Sequence, residues 1–304
     1  LRLKTADDRL IESVLIPDDD ARDVMSGMAS SEKGPDAYDD DEDEPSWERK
    51  KLTQCVSSQV GCAIDCDFCA TAKLGFGRNL SAGEIVSQVY QAEALLRSLP
   101  SDDPTRIAGG DQVTNLVFMG MGEPLLNYTN VLDAIEKITS EEGLHISAKR
   151  ITVSTAGIAK AIKRLGDDGA KFNLAVSLHA ADDEKRNTIM PINEHNNIEV
   201  LIDAIKYFQS KCKGEVTFEY ILLDGVNDTI EDAKKLVNIC NQLHDVKVNV
   251  IEYNKIEQAD FHKSTIDTRD KFIEYLSKHR VIANVRKSRG KDIDAACGQL
   301  ANKG

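Results

Sequence analysis

A chain of 304 residues with 41% hydrophobic residues is long enough for one large α/β domain or two small ones and has ample material for a core. No apolar run approaches bilayer-spanning length, no signal peptide opens the chain, and seven cysteines with three clustered do not form a secreted disulfide pattern; a reducing compartment is expected. The net charge of −13 argues against a nucleic-acid partner only until it is located: thirteen carboxylates against Arg22 and Lys33 between Asp18 and Glu48 carry −11 of it, so the remainder is nearly neutral.

Residues 1–17 alternate well enough for a small hairpin extension. The chain opens on Leu rather than Met, and an upstream segment is expected. Residues 18–48, with "SSEKGPDAYDDDEDEP", lack hydrophobic periodicity and are expected to form a disordered acidic insertion. From 49 to 304 a single domain is expected. Strands are predicted at 52–58, 115–120, 150–155, 173–179, 216–223, 246–253 and 281–287. Amphipathic helical patterns fill 81–97, 129–140, 157–165, 197–211, 229–243 and 267–279, the first opened by a Ser81/Glu84 capping box. Repeated β-α units imply an α/β fold with a parallel sheet, open or curled into a barrel, and no repeat suggests a solenoid. In such folds the loops after the strands carry the chemistry.

Cys62, Cys66 and Cys69 lie in "GCAIDCDFCA" at the spacing C-x3-C-x2-C. Structural zinc usually takes two cysteine pairs, and the chain holds no second C-x2-C. A cubane has four irons, so three thiolates leave one iron open to a substrate. The alternatives are three buried thiols, or zinc completed by a distant histidine.

The spacing resembles the radical S-adenosylmethionine (radical SAM) superfamily. "CVSSQVGCAIDCDFCATAKLGFGRNLSAGEIVSQV", "FMGMGEPLLNY" and "RGKDIDAACGQL" are similar to the radical SAM adenine-carbon-2 methyltransferases of 23S rRNA and tRNA. The resemblance implies a partial (β/α)6 radical SAM barrel with a small N-terminal hairpin extension and an extra C-terminal strand. It implies a 4Fe-4S cluster on Cys62, Cys66 and Cys69, and two SAM per turnover. It also implies a SAM site formed by Gly122, Glu123, Ser154, Ser177, Leu178, His179 and Asn254, with Glu123 suited to the SAM ammonium. Each of these residues taken alone is more simply a turn residue or a cap.

Carbon 2 of adenine lies between two ring nitrogens and cannot attack a sulfonium methyl as an amine would. By resemblance Cys297 is methylated by one SAM, and a radical made from the second takes hydrogen from that methyl group. The carbon radical adds to adenine, and Cys55 then attacks the Cys297 sulfur, releasing product and leaving a disulfide. Glu12 matches the family's proposed proton acceptor; its plainer reading is an exposed strand carboxylate. Cys212 and Cys240 fall in helical patterns and are read as buried apolar residues. Arg286, Lys287, Arg289 and Lys291 are candidate phosphate contacts, or a solvated charged loop. The implied partners are 23S rRNA, tRNA and an electron donor such as flavodoxin or ferredoxin, for a cytoplasmic (or organellar) monomer with no membrane. Two alternatives stand beside this reading: the related adenine-carbon-8 methyltransferases, and a non-catalytic iron–sulfur or zinc protein that binds RNA.

Overall fold

Side chains alternate between the two faces of a strand, and here the alternation separates a core from a lumen. The computed structural model describes residues 1–17, 51–103, 106, 110–286, 290 and 293–302. The expected acidic insertion at 18–48 and the cations Lys287, Arg289 and Lys291 lie outside the described residues. β1 (Arg2–Lys4) and β2 (Leu10–Glu12) form the expected hairpin, and β3 (Val14–Pro17) leaves it to pair antiparallel with β4 (Leu52–Cys55). β7 (Asn115–Phe118), β8 (Ile151–Thr155), β9 (Asn173–Ser177), β10 (Val216–Leu222), β11 (Lys247–Glu252) and β12 (Ala283–Arg286) continue the sheet from β4 in chain order, every pair parallel. The sheet therefore has eight strands, with six parallel strands from β4 to β11, one C-terminal addition and one antiparallel edge.

One face of this sheet is apolar. Leu116, Phe118, Ile151, Val153, Leu174, Val176, Phe218, Tyr220, Val248 and Val250 are all essentially buried there. Against it pack the connecting helices α2 (Ala82–Ser98), α3 (Tyr128–Thr139), α4 (Ala159–Asp167), α6 (Ile198–Lys211), α7 (Ile230–Cys240) and α8 (Ile266–Lys278). The capping box at Ser81 forms as expected, with the Glu84 N–H donating to Ser81 Oγ and the Ser81 N–H to Glu84 Oε2. Cys212 and Cys240 are buried in this core.

The other face is a lumen, and the sheet curls around it. Arg286 on β12 and Met119, just past β7, are five ladder steps apart, about 24 Å across a flat sheet. Yet Arg286 Nη1 lies 3.1 Å from Met119 Sδ. Only a strongly curled sheet brings them together. The extra parallel strand and the half-barrel match what the resemblance implies.

Two elements carry no clear sequence signal. β5 (Gln59–Gly61) and β6 (Phe76–Asn79) form an antiparallel hairpin whose long tip holds the three cysteines and the short helix α1 (Ala70–Lys73). Helix α5 (Asp183–Ile189), "DEKRNTI", has no apolar stripe and is capped by Asp182, which accepts from the Lys185 N–H.

Amide groups buried in the core hold the end of β4. Gln88 on α2 accepts from the Ser57 N–H and donates to the Ser57 carbonyl, both at 2.8 Å, with both side chains fully buried. Gln54 Nε2 donates to Ser13 Oγ (2.8 Å) and to the Gln88 carbonyl (2.9 Å), and Ser13 Oγ donates to the Cys55 carbonyl (2.9 Å). Strand, helix and N-terminal extension meet at the residues that lead into the cysteine loop. Gln88→Leu strands the N–H and C=O of Ser57 in the core and should cost about 3 kcal/mol in urea unfolding. A loss below about 1 kcal/mol would show that this pairing is not what secures the strand end.

Candidate active site

The cysteine loop leaves the end of β5 at Gly61, where the backbone is left-handed (φ 74°) and an added Cβ would lie 1.8 Å from the Gly75 carbonyl oxygen. Only glycine allows the two arms of the hairpin to close there. The Cys62 N–H donates to that Gly75 carbonyl, and the Cys69 N–H donates back to the Cys66 carbonyl. The last residue of α5 grips the loop, as the Asp67 N–H donates to the Ile189 carbonyl at 3.0 Å. All three thiols are half-buried and pack on an apolar wall that includes Ile64, Phe68, Ile189, Met190, Ile251 and Tyr253. Burial pushes the Cys62 thiol up to about 12 and Cys66 well above its ordinary value. A metal must displace these protons to bind, as thiolate ligation requires.

Among the described residues, no three His, Cys, Asp or Glu side chains converge on a point as a single-ion site would need. A cubane places its ligands on three different irons, so thiols spread around a larger cluster suit it. The three-thiol donor set and the dry wall fit a 4Fe-4S cluster.

"MGMGEP" faces the loop. Gly122 is left-handed (φ 99°), and a Cβ there would lie 2.4 Å from the Gln59 side chain. Glu123 is buried; Oε1 accepts from the Leu125 N–H (2.9 Å) and Oε2 from the Ala156 N–H (2.7 Å). Burial pushes its carboxyl up to about 7, with those donors pulling the other way. Its charge acts on Cys62 and Cys66, so the carboxylate stands beside the cluster loop.

Ser154 and Ser177 share the lumen face of the sheet, as the register through Ala175 and Glu219 requires. His179 is buried with left-handed backbone (φ 56°), edge-on to Phe68 of the cysteine loop at 4.8 Å. Its Nδ1 accepts from the Ile221 N–H, so the ring proton is on Nε2, and burial lowers its pKa to about 3. The ring is neutral. Leu178 has its side chain in the helix-side core, its N–H donates to the Glu219 carbonyl, and its carbonyl is used by Arg186.

Sequence reasoning missed Arg186. In "DEKRNTI" it reads as one more surface charge, yet it is fully buried. Its guanidinium donates to the carbonyls of Ala156 (2.8 Å), Ser177 (3.0 Å), Leu178 (3.0 Å) and Asn196 (3.3 Å), and to Asn193 Oδ1 (2.7 Å). These acceptors carry no charge, and burial lowers the Arg186 pKa to about 10. Its cation sits in the wall near Cys66, where it favours thiolate.

The second pair of cysteines lies at the same end of the sheet. Cys55 ends β4 and is buried; Cys297 is half-buried in the C-terminal segment, and all seven cysteines are free. Burial, then the nearby Cys297, pushes the Cys55 thiol up to about 12, while Arg286 pulls it down. Arg286 projects into the lumen, with Nη1 3.3 Å from Glu219 Oε2. Asn254 Nδ2 donates to the Cys297 carbonyl at 3.2 Å. The segment is pinned to α1, where the Gly298 carbonyl accepts from the Ala70 N–H (2.7 Å) and the Leu300 carbonyl from Thr71 Oγ1 (2.6 Å). Glu12 holds its end: Oε2 accepts from the Asn302 N–H at 3.0 Å. The one sequence signal for Glu219 is a lone carboxylate in the apolar strand "VTFEYILL".

Residues 56–237 match the model of the radical SAM superfamily. The chain is 53% identical over 253 residues to a probable dual-specificity RNA methyltransferase RlmN of Cytophaga hutchinsonii, covering 83% of this chain and 67% of that protein. It is 43% identical over 297 residues to the dual-specificity RNA methyltransferase RlmN of Campylobacter hominis, covering 98% and 75%. The crystal structure of a radical SAM methyltransferase from Sphaerobacter thermophilus superposes with a TM-score of 0.81 at 37% identity, covering 98% of this chain and 76% of that one.

Two substitutions probe this site. Cys66→Ala should remove the broad visible absorbance of the reconstituted cluster and with it reductive SAM cleavage; a variant with full iron and sulfide content would defeat the ligand assignment. Arg186→Lys keeps the charge but cannot reach five acceptors, and should lower stability on the order of 3 kcal/mol in denaturant unfolding. Wild-type stability would show that the strand ends do not need the fork.

Proposed function

Because this chain belongs to the radical SAM superfamily and, within it, to the dual-specificity RNA methyltransferases, we propose that it methylates carbon 2 of an adenine in 23S rRNA and in tRNA through Cys297 and Cys55. The chain is a SAM-dependent RNA methyltransferase of the radical type, with a 4Fe-4S cluster and SAM as its cofactors. The observation that carries the two-cysteine reading is that the Cys297 segment is bonded to the helix that follows the cluster cysteines and to Asn254 past the end of β11, at the end of the sheet where Cys55 closes β4. A non-catalytic metal protein is not what the relatives are named to be.

Cys62, Cys66 and Cys69 are the residues that would hold the cluster, which when bound supplies the electron for reductive SAM cleavage. Glu123 is offered as the partner of the SAM ammonium. An approaching cation would draw the proton off a carboxyl that burial alone holds near neutrality. Gly122 gives SAM access to the backbone, while Ser154, Ser177 and Asn254 supply polar groups and neutral His179 a donor at Nε2. Leu178 contributes the shape of the strand end through its backbone position rather than a side-chain contact.

The Cys297 thiolate takes a methyl group from SAM: one S–C bond forms at Cys297, the sulfonium S–C bond breaks, and S-adenosylhomocysteine leaves. After hydrogen is removed from that methyl group, the remaining carbon radical bonds to carbon 2 of adenine; one electron, which the cluster would take back, and the ring proton then leave, giving a closed-shell thioether that joins Cys297 to the RNA. Cys55 then resolves the adduct. Its thiolate forms an S–S bond with Cys297, and the carbon leaves with the electron pair of the broken S–C bond and takes a proton. In this scheme a Cys55–Cys297 disulfide forms only at the end of the cycle and must be reduced before the next one. Glu12 is proposed as the proton acceptor; its place beside Asn302, at the end of the Cys297 segment, supports this.

Flavodoxin or ferredoxin is proposed as electron donor, and a cytoplasmic monomer as the working form. Among the described residues no helix is long and apolar enough to cross a membrane.

Cys297→Ala should abolish both methyl loading of the protein and modification of RNA, with slow SAM cleavage retained. Cys55→Ala should load methyl, add to RNA and stall as a covalent protein–RNA adduct. That adduct runs as a heavier band in a denaturing gel and disappears with nuclease. Repeated turnover by Cys55→Ala without added thiol would defeat the scheme, and mass spectrometry of the modified adenosine separates carbon 2 from carbon 8.

A further inference from the structure

Past the end of β4 the chain stays paired with the segment after β7, and side chains make much of that pairing. Ser57 Oγ accepts from the Met121 N–H at 2.8 Å, and Gln59 Oε1 accepts from the Glu123 N–H at 2.9 Å. The Ser58 and Gln59 N–H groups both donate to the Met121 carbonyl. Two side chains two residues apart thus take two amides two residues apart. Ser57 secures Met121, whose side chain is in the core, whereas Gln59 secures the backbone of Glu123. Gln59 is buried and opens β5, three residues before Cys62. Its amide fits only one way round. A main-chain N–H can only donate, so the Gln59 oxygen faces Glu123, and Nε2 is left to donate to Asn79 Oδ1 at 2.8 Å. Asn79 is the residue opposite Gln59 on β6. One side chain therefore joins both arms of the cysteine hairpin to Glu123. Its Cβ and Cγ occupy the space that a side chain at Gly122 would need, 2.4 and 2.6 Å from where a Cβ would stand.

We propose that Gln59 is a positioning residue for SAM: it holds Glu123 where the carboxylate meets the SAM ammonium, and it anchors that carboxylate to the hairpin that carries the three cysteines. The inference rests on the reading of Glu123 as the ammonium partner. The Glu123 carboxylate is fixed at its far end by the Leu125 and Ala156 N–H groups, one to each oxygen. Gln59 fixes the near end. With the Gln59 oxygen gone, the Glu123 N–H is left unpaired in a buried place, and the backbone must turn to find another acceptor. Such a turn carries the carboxylate away from one or both of its donors, and from the ammonium with it. Asn79 secures the arrangement from the other arm, because its oxygen holds the Gln59 amide in the one orientation that serves Glu123. The adenosine end of SAM has no such dependence, so the loss falls on the amino-acid end alone.

The test is equilibrium binding of two probes to reconstituted enzyme with matched iron and sulfide content. S-adenosylhomocysteine carries the ammonium group; 5′-methylthioadenosine lacks the whole amino-acid end. Gln59→Met keeps the atoms that pack on Gly122 but offers no oxygen to the Glu123 N–H. It should weaken S-adenosylhomocysteine roughly tenfold and change methylthioadenosine by less than about twofold. A merely structural role predicts that both probes weaken alike, and that result overturns the proposal, as does unchanged binding of both. If Gln59→Met does not fold or load a cluster, Asn79→Ala decides. It removes only the bond that orients the Gln59 amide, and should weaken S-adenosylhomocysteine alone by about threefold; an equal change in both probes, or none, overturns the proposal. Glu123→Gln separates the two layers and should itself abolish most of the preference for S-adenosylhomocysteine. If it does so while Gln59→Met keeps the wild-type preference, only the role of Gln59 falls. If Glu123→Gln keeps that preference, the ammonium reading falls and this proposal with it.

Discussion

The two-residue period of a curled parallel sheet is the constraint from which the rest follows. One face must be covered by helices, so Phe118, Val153, Val176, Phe218 and Val250 are apolar and buried. The opposite face is then where polar side chains of the strands can point without an unpaired polar group entering the core. Cys55, Ser154, Ser177, Glu219 and Arg286 are all there, in register across neighbouring strands. Curling turns that face into a lumen, and it brings together groups that a flat sheet would hold far apart.

A lumen lined with thiols and carboxyls is electrostatically expensive, because burial disfavours every charged form. The structure meets this with two fixed cations. Arg186 is held by carbonyls at the ends of β8 and β9 and faces the cluster loop; Arg286 faces the second pair of thiols. Neither forms a tight carboxylate fork. Arg186, bonded to neutral acceptors, keeps a net charge to offer an anion, whereas Arg286 shares its charge with Glu219. The buried His179 is neutral for the same reason, since Arg186 and burial both oppose a second cation.

The cysteine loop and the Cys297 segment are not independent. Gly298 and Leu300 bond to α1 immediately after Cys69, and Asn302 bonds to Glu12 and to the Leu10 carbonyl on β2. Asn254 and Gln299 join the same segment to the end of β11, Gln299 through the Lys255 carbonyl. The three regions that look most separate along the chain, the N-terminal hairpin, the cluster loop and the last ten described residues, thus form one wall of the site. Each of these bonds uses a backbone group on one side, and all but the Ala70–Gly298 bond take a side chain on the other.

Local pattern alone determined the alternation of strands and helices here, because apolar periodicity and caps such as Ser81–Glu84 act within a few residues of one another. The spacing of Cys62, Cys66 and Cys69 likewise pointed to a cluster with an open position, since ligand number is written in the chain. Only the tertiary structure decided the rest. Arg186 is indistinguishable from a solvated helix charge until the ends of β8 and β9 surround it, and Leu178 belongs to the core because the pleat turns it there. Arg286 reads as part of a basic phosphate-binding run, yet curvature across β7 to β12 carries it to Met119 and Glu219. Partnerships across more than sixty residues of sequence, such as Arg286 with Glu219, leave no local trace, because what selects them is the fold's distance and burial rather than neighbouring residues.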